Sequence, residues 1–249
     1  KVSVHDGSRQ TMGNQQENFI RPFVSTVQLL FAGNDRQCLY YGVIDTPEKF
    51  WLRWKEPDAS IPNELDRGVT QWFNKERLLE MIHDFLVFDA GVKKVCRPNQ
   101  YFAVKAAQPR CEKKEGGVIW EAQGSGKSLI MVWLAEWIHE NIDNSRVVII
   151  TDREELDEQI SDGFKDTGET IARAKSGAGL IGMLNEEAPW LLCTLIHKFG
   201  KKNVEGKGDM AGVKSEIPLE KYLEEIVAQL PQGFKAKGNI FVFIDECHR

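Results

Sequence analysis

The stretch Gly116-Gly117-Val118-Ile119-Trp120-Glu121-Ala122-Gln123-Gly124-Ser125-Gly126-Lys127-Ser128 reads as a short buried strand running into a glycine-rich turn that ends in Gly-Lys-Ser and opens a helix. Such a turn suits a triphosphate, because backbone N–H groups must converge on phosphate oxygens and glycine lets the backbone come close where a Cβ would clash. Gln123, Gly124, Ser125 and Gly126 make the turn. Lys127 then supplies a mobile charge for the β- and γ-phosphates, Ser128 a hydroxyl for Mg²⁺, and the helix start a favourable dipole end. The consensus asks for glycine where this chain carries Glu121. Leu129 to Ile138 is apolar nearly all round, which predicts a helix buried between a sheet and neighbouring helices. The local pattern leaves a second reading open, a glycine turn that merely joins a strand to a helix.

A second signal lies at the other end of the chain. Ile240-Phe241-Val242-Phe243-Ile244 is a continuous apolar run of the kind expected for a parallel strand buried on both faces, and it delivers Asp245-Glu246-Cys247-His248 at its carboxyl end. In an open parallel sheet, ligand chemistry gathers at the carboxyl ends of the strands. Asp245 is therefore expected to hold the Mg²⁺ that Ser128 also contacts, and Glu246 to orient or activate the attacking water. Taken alone, the two carboxylates could equally cap a following helix.

Composition sets the outer bounds. With 42% hydrophobic and 28% charged residues, the 249-residue chain has room for one large domain or two ordinary ones in a soluble protein. No apolar run approaches the roughly 20 residues that span a bilayer, and the amino terminus lacks a signal-peptide pattern, so a cytoplasmic protein with no membrane partner is expected. Five cysteines without a Cys-x-x-Cys pair indicate neither a disulfide framework nor a structural zinc site. The net charge of −5 does not advertise a nucleic-acid protein, yet DNA is held by a local basic track rather than by whole-chain charge.

Character changes near residue 95. Before it, Val27 to Ala32 and Leu39 to Ile44 read as a hairpin turning through Gly33-Asn34-Asp35. The aromatics Phe50, Trp51 and Trp54 read as core, and Lys75 to Phe88 has helical spacing. After it, strands at Val118–Trp120, Val147–Thr151, Leu191–Thr194 and Ile240–Ile244 alternate with helices at Lys127–Glu140, Glu154–Phe164, Leu180–Asn185 and Leu219–Leu230. That alternation predicts an α/β fold with a parallel sheet. Lys201 to Lys214, rich in glycine and lysine, reads as a solvated loop or as a basic segment for a phosphate backbone.

Six segments, two of them already quoted, narrow the class. They are Gly117-Val118-Ile119-Trp120 before Gln123 to Ser128, Thr151-Asp152-Arg153-Glu154-Glu155-Leu156-Asp157, Ala174-Lys175-Ser176-Gly177, Thr194-Leu195-Ile196-His197-Lys198-Phe199, Asp245-Glu246-Cys247-His248-Arg249, and Arg97-Pro98-Asn99-Gln100-Tyr101 upstream. In these the chain resembles the first RecA-like domain of superfamily 2 helicases and translocases, in a motif order similar to the motor (restriction, R) subunit of type I restriction enzymes. The resemblance implies a parallel-sheet RecA-like P-loop domain over residues 96–249, a helical connector over 61–95, and a partial α+β nuclease-domain remnant over 1–60. It implies an ATP-driven translocase of double-stranded DNA, working with methylation (M) and specificity (S) subunits and using ATP and Mg²⁺. By similarity, Lys127, Asp245 and Glu246 carry catalysis and His248 couples it to movement. Gln100 reads adenine with Arg97 nearby, a bidentate amide suiting the N6/N7 edge, although a helix-start glutamine without a ligand is the alternative. Thr151, Asp152, Arg153, Thr194 and Lys198 face DNA and contact its sugar and phosphate.

Cys247 stands where that family usually carries alanine. The sequence stops directly after the acidic motif, before any second RecA-like domain and its arginine finger, so this stretch alone is expected to bind ATP weakly and hydrolyse it poorly. No Asp with a Glu-x-Lys set precedes residue 60, which places the nuclease catalysts upstream of Lys1. Another superfamily 2 remodelling ATPase, or a nucleotide-binding regulatory module, are the alternatives; Glu246 argues against the module.

Overall fold

The computed structural model describes residues 3–35, 37–89, 91–151, 164, 171–174, 177–195, 230 and 232–245. They divide into two units, the first holding the described residues up to Trp137 together with Phe164, the second the remainder from Ile138 onward.

The first unit starts with helix α1 (Val4–Gly13), fixed by a reciprocal cap in which Ser3 Oγ accepts the His5 amide at 3.2 Å and Asp6 Oδ2 accepts the Ser3 amide at 3.0 Å. The helix seats Val4 against Ala32 and Trp51. A short helix α2 (Arg21–Val24) leads into strands β1 (Leu30–Asn34), β2 (Cys38–Gly42) and β3 (Leu52–Arg53), an antiparallel sheet in that order. The hairpin expected from the sequence is present, with Leu30 opposite Gly42 and Asn34 opposite Cys38. Its turn falls later than expected because Asn34 still pairs, and the Asn34 carboxamide accepts the Gln37 amide at 2.8 Å.

Helices α3 (Glu64–Trp72) and α4 (Lys75–His83) follow, each started by an asparagine, Asn63 and Asn74, whose side chain accepts first-turn amides. Their inner faces complete an aromatic core. Trp72 is fully buried with its ring 4.5 Å from Tyr41, 5.2 Å from Trp54 and 5.3 Å from Phe31. Trp51 and Trp54 are core as expected, whereas Phe50 is exposed.

The helical spacing over Lys75 to Phe88 overshoots. Helix α4 ends at His83, and Leu86–Asp89 (β4) turns back through Gly91, at φ +74°, to pair antiparallel with Val92–Val95 (β5). Leu86, Val87 and Phe88 run half-buried, buried and exposed, so a period of two overrides a short apolar run that also fitted a helix. Helix α5 (Pro98–Glu112) comes next, with Pro98 in the first helical position where its missing N–H costs nothing.

Val118–Trp120 departs from expectation more sharply. It forms no strand, and Val118 and Trp120 are 76% and 90% exposed. A strand needs a neighbour for its N–H and C=O groups, and among the described residues none pairs with this segment. Helix α6 (Lys127–Asn141) does run as predicted, burying Ile130, Val132, Trp133, Leu134, Ala135 and Ile138.

The second unit is a four-stranded parallel sheet. Strands β6 (Ser145–Thr151), β7 (Ala172–Arg173), β8 (Leu191–Leu195) and β9 (Asn239–Ile244) lie in the order β7-β8-β6-β9. Helix α7 (Gly177–Leu184) packs Leu180, Met183 and Leu184 against Val148 and Leu192. Buried Arg146 donates five hydrogen bonds of 2.7–3.2 Å to the carbonyls of Met183, Leu184, Glu186 and Pro189, so one guanidinium closes the end of α7 and the turn before β8. Strand β9 corrects the two-faced burial expected of its apolar run. Among the described strands it lies at the sheet edge, and Ile240, Val242 and Ile244 are 36%, 51% and 52% exposed while Phe241 and Phe243 are half-buried. The expected helices at 154–164 and 219–230 and the loop at 201–214 lie outside the described residues, apart from Phe164 and Leu230.

Candidate functional site

The loop before α6 has the backbone shape its glycines predict. Gly124 and Gly126 sit at φ +76° and +86°, a region that L side chains adopt at a cost, and the Ser125 amide closes the turn on the Ala122 carbonyl at 3.2 Å. Helix α6 then begins, with the Leu129 and Ile130 amides donating to the Gly126 carbonyl at 3.1 and 3.4 Å. The amides of Gly126, Lys127 and Ser128 have no acceptor among the described residues. Three adjacent donors thus stand free at a helix start, where the macrodipole adds partial positive charge.

Two side chains match that donor set. Among the described residues the Lys127 ammonium has no hydrogen-bonding or ion-pairing partner. Among the described residues the buried Ser125 hydroxyl has no partner, an arrangement that costs free energy unless a ligand completes it. Free amides, an unpaired cation and an orphaned hydroxyl around a glycine turn fit the oxygens of a triphosphate. Ser128, next along, is half-buried at the first turn of α6.

The first turn of α5 meets this loop at three points. Arg97 Nη1 donates to the Gly124 carbonyl at 3.3 Å, and Asn99 Nδ2 donates to Glu121 Oε2 at 2.9 Å. Gln100, 2% exposed, donates from Nε2 to the carbonyls of Ser125 at 3.0 Å and Gly126 at 3.1 Å, while its Oε1 accepts the Arg97 amide at 2.7 Å. The sequence points Gln100 toward adenine, and here its Nε2 lies within hydrogen-bond distance of both loop carbonyls. Asn99 and its tie to Glu121 leave no such mark in the sequence. The legible signal was Pro98 in the first helical position with glutamine two residues on, a helix-start pattern in which Gln100 reaches back to the capping residue.

Neighbouring Tyr101 anchors the same helix. Its hydroxyl donates to Glu80 Oε2 at 2.9 Å, and burial, reinforced by that carboxylate, pushes the phenol up to about 12.

In the second unit, Asp245 follows β9 and its amide donates to the Ile150 carbonyl at 3.0 Å, carrying the ladder one residue beyond the strand. Its side chain stands half-buried at the carboxyl end of the sheet, the end expected of it. Thr151 and Thr194 are buried at 0% and 3% near the carboxyl ends of β6 and β8, and among the described residues Thr194 Oγ1 is without a partner. Asp152, Arg153, Lys198, Glu246 and His248 lie outside the described residues. Among those described, no helix is long and apolar enough to cross a membrane, and Cys38, Cys96, Cys111 and Cys193 are free.

A glycine-turned phosphate loop opening a helix, with a parallel sheet downstream, defines a P-loop ATPase domain of the RecA-like class. The sequence model of the SWI2/SNF2 ATPases matches residues 99–249, more than half of the chain, and the chain belongs to that family. Its relatives include the putative type I restriction enzyme MjaIXP endonuclease subunit of Methanocaldococcus jannaschii, 32% identical over 56% of this chain and 14% of the relative. The type I restriction enzyme SauCOLORF180P endonuclease subunit of Staphylococcus aureus is 23% identical over 100% of this chain and 25% of the relative. The HindI endonuclease subunit of Haemophilus influenzae is 26% identical over 75% and 17%. The chain thus spans a quarter or less of the length of these curated relatives.

Proposed function

We propose that this chain is part of the motor (R) subunit of a type I restriction enzyme, binding ATP with Mg²⁺ to drive translocation of double-stranded DNA that leads to cleavage by a nuclease domain elsewhere in the full-length protein. The observation that carries the reading is the loop from Glu121 to Ser128, with three amides and a lysine that have no partner among the described residues, in a chain that aligns along its whole length with a type I endonuclease subunit.

The residues then take the following parts. The amides of Gly126, Lys127 and Ser128 bind phosphate oxygens, and Lys127 neutralises charge that builds on the transferred phosphoryl group. Ser128 and Asp245 would hold Mg²⁺, which when bound supplies further neutralisation of phosphate charge. Glu246 orients the attacking water, and His248 couples hydrolysis to movement. Thr151, Asp152, Arg153, Thr194 and Lys198 would contact the sugar and phosphate of the DNA and carry no base readout. Residues 1–60 would belong to the nuclease domain, 61–95 to a connector and 96–249 to the first RecA-like domain. Separate methylation and specificity subunits would supply target recognition.

The test is ATP hydrolysis by the full-length protein assembled with its partner subunits, with and without unmethylated double-stranded DNA carrying the target. Strong stimulation by that DNA, falling about a hundredfold or more in Lys127→Ala, is the expected result. Hydrolysis indifferent to double-stranded DNA would remove the translocase reading, and hydrolysis that survives loss of Lys127 would remove the loop from the chemistry.

A further inference from the structure

We propose that the first unit carries a second anion site, a pocket between β3 and α3 whose lining suits a phosphate group. The cavity measures about 270 Å³ and lies between the segment Arg53 to Pro57, which leaves β3, and the face of α3 that carries Arg67 and Gln71, with Cys38 of β2 in its wall. None of its lining residues belongs to the loop 121–128, so the site stands or falls independently of the nucleotide reading.

Packing brings the lining together. Helix α3 lies against β2 at Gly68, where a Cβ would fall 2.9 Å from Leu39 Cβ and 3.4 Å from Cys38 Sγ. Arg67 and Gln71, four residues apart and so on one helix face, line the cavity from that side. Charge then decides what the pocket accepts. Arg53, Lys55 and Arg67 line it against a single carboxylate, Glu56. Both oxygens of Glu56 are already engaged, Oε2 by Trp54 Nε1 at 3.0 Å and by Arg77 Nη1, and Oε1 by Arg77 Nη2 at 3.2 Å. The cations keep donors in reserve. Among the described residues the exposed Lys55 has no hydrogen-bonding or ion-pairing partner, and Arg67 donates from Nη1 alone, to the Ile61 carbonyl at 3.0 Å. Arg53 donates from Nη2 to Glu64, yet its Nε is buried with no partner among the described residues, an orphaned donor of the kind that a ligand oxygen completes. Cys38 holds φ at +70°, a conformation that a residue other than glycine adopts at a cost and that gathers at ligand sites. Donors from three separate cations call for more oxygens than the two of a carboxylate, and guanidinium with ammonium is the pairing that phosphate recognition uses. The phosphate can come from a DNA backbone or from a small phosphorylated molecule; the donor set is the same for both.

The test is a titration of the 249-residue chain, as Lys127→Ala so that the loop's own hold on phosphate is weakened, followed through the backbone amide resonances of residues 53–57 and 67–71. Inorganic phosphate and a short DNA duplex are added in separate experiments. The pocket predicts saturable shifts at these residues with at least one of the two, weakened about tenfold when Lys55→Gln is added, further by Lys55→Gln/Arg67→Gln, and reduced as the salt concentration rises. Lys55→Gln removes an exposed side chain without internal partners among the described residues, so it remains informative even if the Arg67 variant does not fold. Shifts with the duplex that Lys55→Gln weakens assign the DNA backbone as the source of the phosphate. Shifts with inorganic phosphate alone assign a small phosphorylated ligand. Absence of saturable shifts with both probes, or equal affinity with and without Lys55→Gln, overturns the proposal, whatever the chain's affinity for ATP.

Discussion

At Gly126 a left-handed backbone and a close neighbour coincide, since φ is +86° and a Cβ would fall 2.3 Å from Gln100 Nε2. Gly126→Ala is therefore expected to weaken ATP binding at least about tenfold, because the loop must leave either its conformation or its hydrogen bonds to α5. Titration of the purified variant with ATP checks it. Gly238 is the corresponding point in the second unit, at φ +82° with a Cβ position 2.6 Å from the Asn144 carbonyl. There Gly238→Ala is expected to lower stability by about 1–3 kcal/mol, read from chemical denaturation, with the sheet register at Asn239 disturbed first. The glycines of the phosphate loop were legible in the sequence because their spacing to Lys127 is itself the motif. Gly238 was not, because its need arises from a carbonyl almost a hundred positions away in the chain.

At the scale of elements, Arg146 substitutes for a helix cap. Its guanidinium satisfies four carbonyls at the end of α7 and the following turn, and burial depresses its pKa without discharging it. Arg146→Ala is expected to cost about 2–4 kcal/mol and to speed amide exchange over residues 177–190, and Arg146→Lys to recover little, since an ammonium lacks the planar fork. Helix α5 carries a pH signature. Burial holds the Tyr101 phenol up at about 12 against an ordinary 10.0, so its contribution to stability is complete below about pH 10 and lost as pH climbs through about 12. Tyr101→Phe, which removes the bond to Glu80, should be less stable than wild type at neutral pH, with the gap closing across that alkaline window in denaturation curves. Periodicity revealed α6, β6 and β8 because each is apolar and long enough for one reading to prevail. It failed at Leu86–Asp89, where a few apolar residues fit two periods, and at Val118–Trp120, where strand formation depends on a neighbour that the segment's own composition does not report.

For the molecule as a whole, each unit has its own logic. The first is an antiparallel, aromatic-cored assembly ending in the phosphate loop, the second a parallel sheet whose β9 edge is unpaired among the described residues. The exposed face of β9 carries Ile240, Val242 and Ile244, an arrangement prone to edge-to-edge association. Val242→Lys should reduce light scattering by the concentrated chain while changing unfolding free energy by no more than about 0.5 kcal/mol. The class of the protein was legible from the loop and from the strand before Asp245, since phosphate chemistry restricts the residue types it accepts. The ties from α5 were hidden, because hydrogen bonds to carbonyls leave no mark on the sequence of the loop that accepts them. The most direct test of the central claim is equilibrium binding of ATP to the 249-residue chain with Mg²⁺ present, wild type against Lys127→Ala. Saturable binding that is lost or weakened about tenfold or more in the variant is the predicted result. Absence of binding in the wild type, or equal affinity in both, would contradict the assignment of residues 121–128 as the nucleotide site.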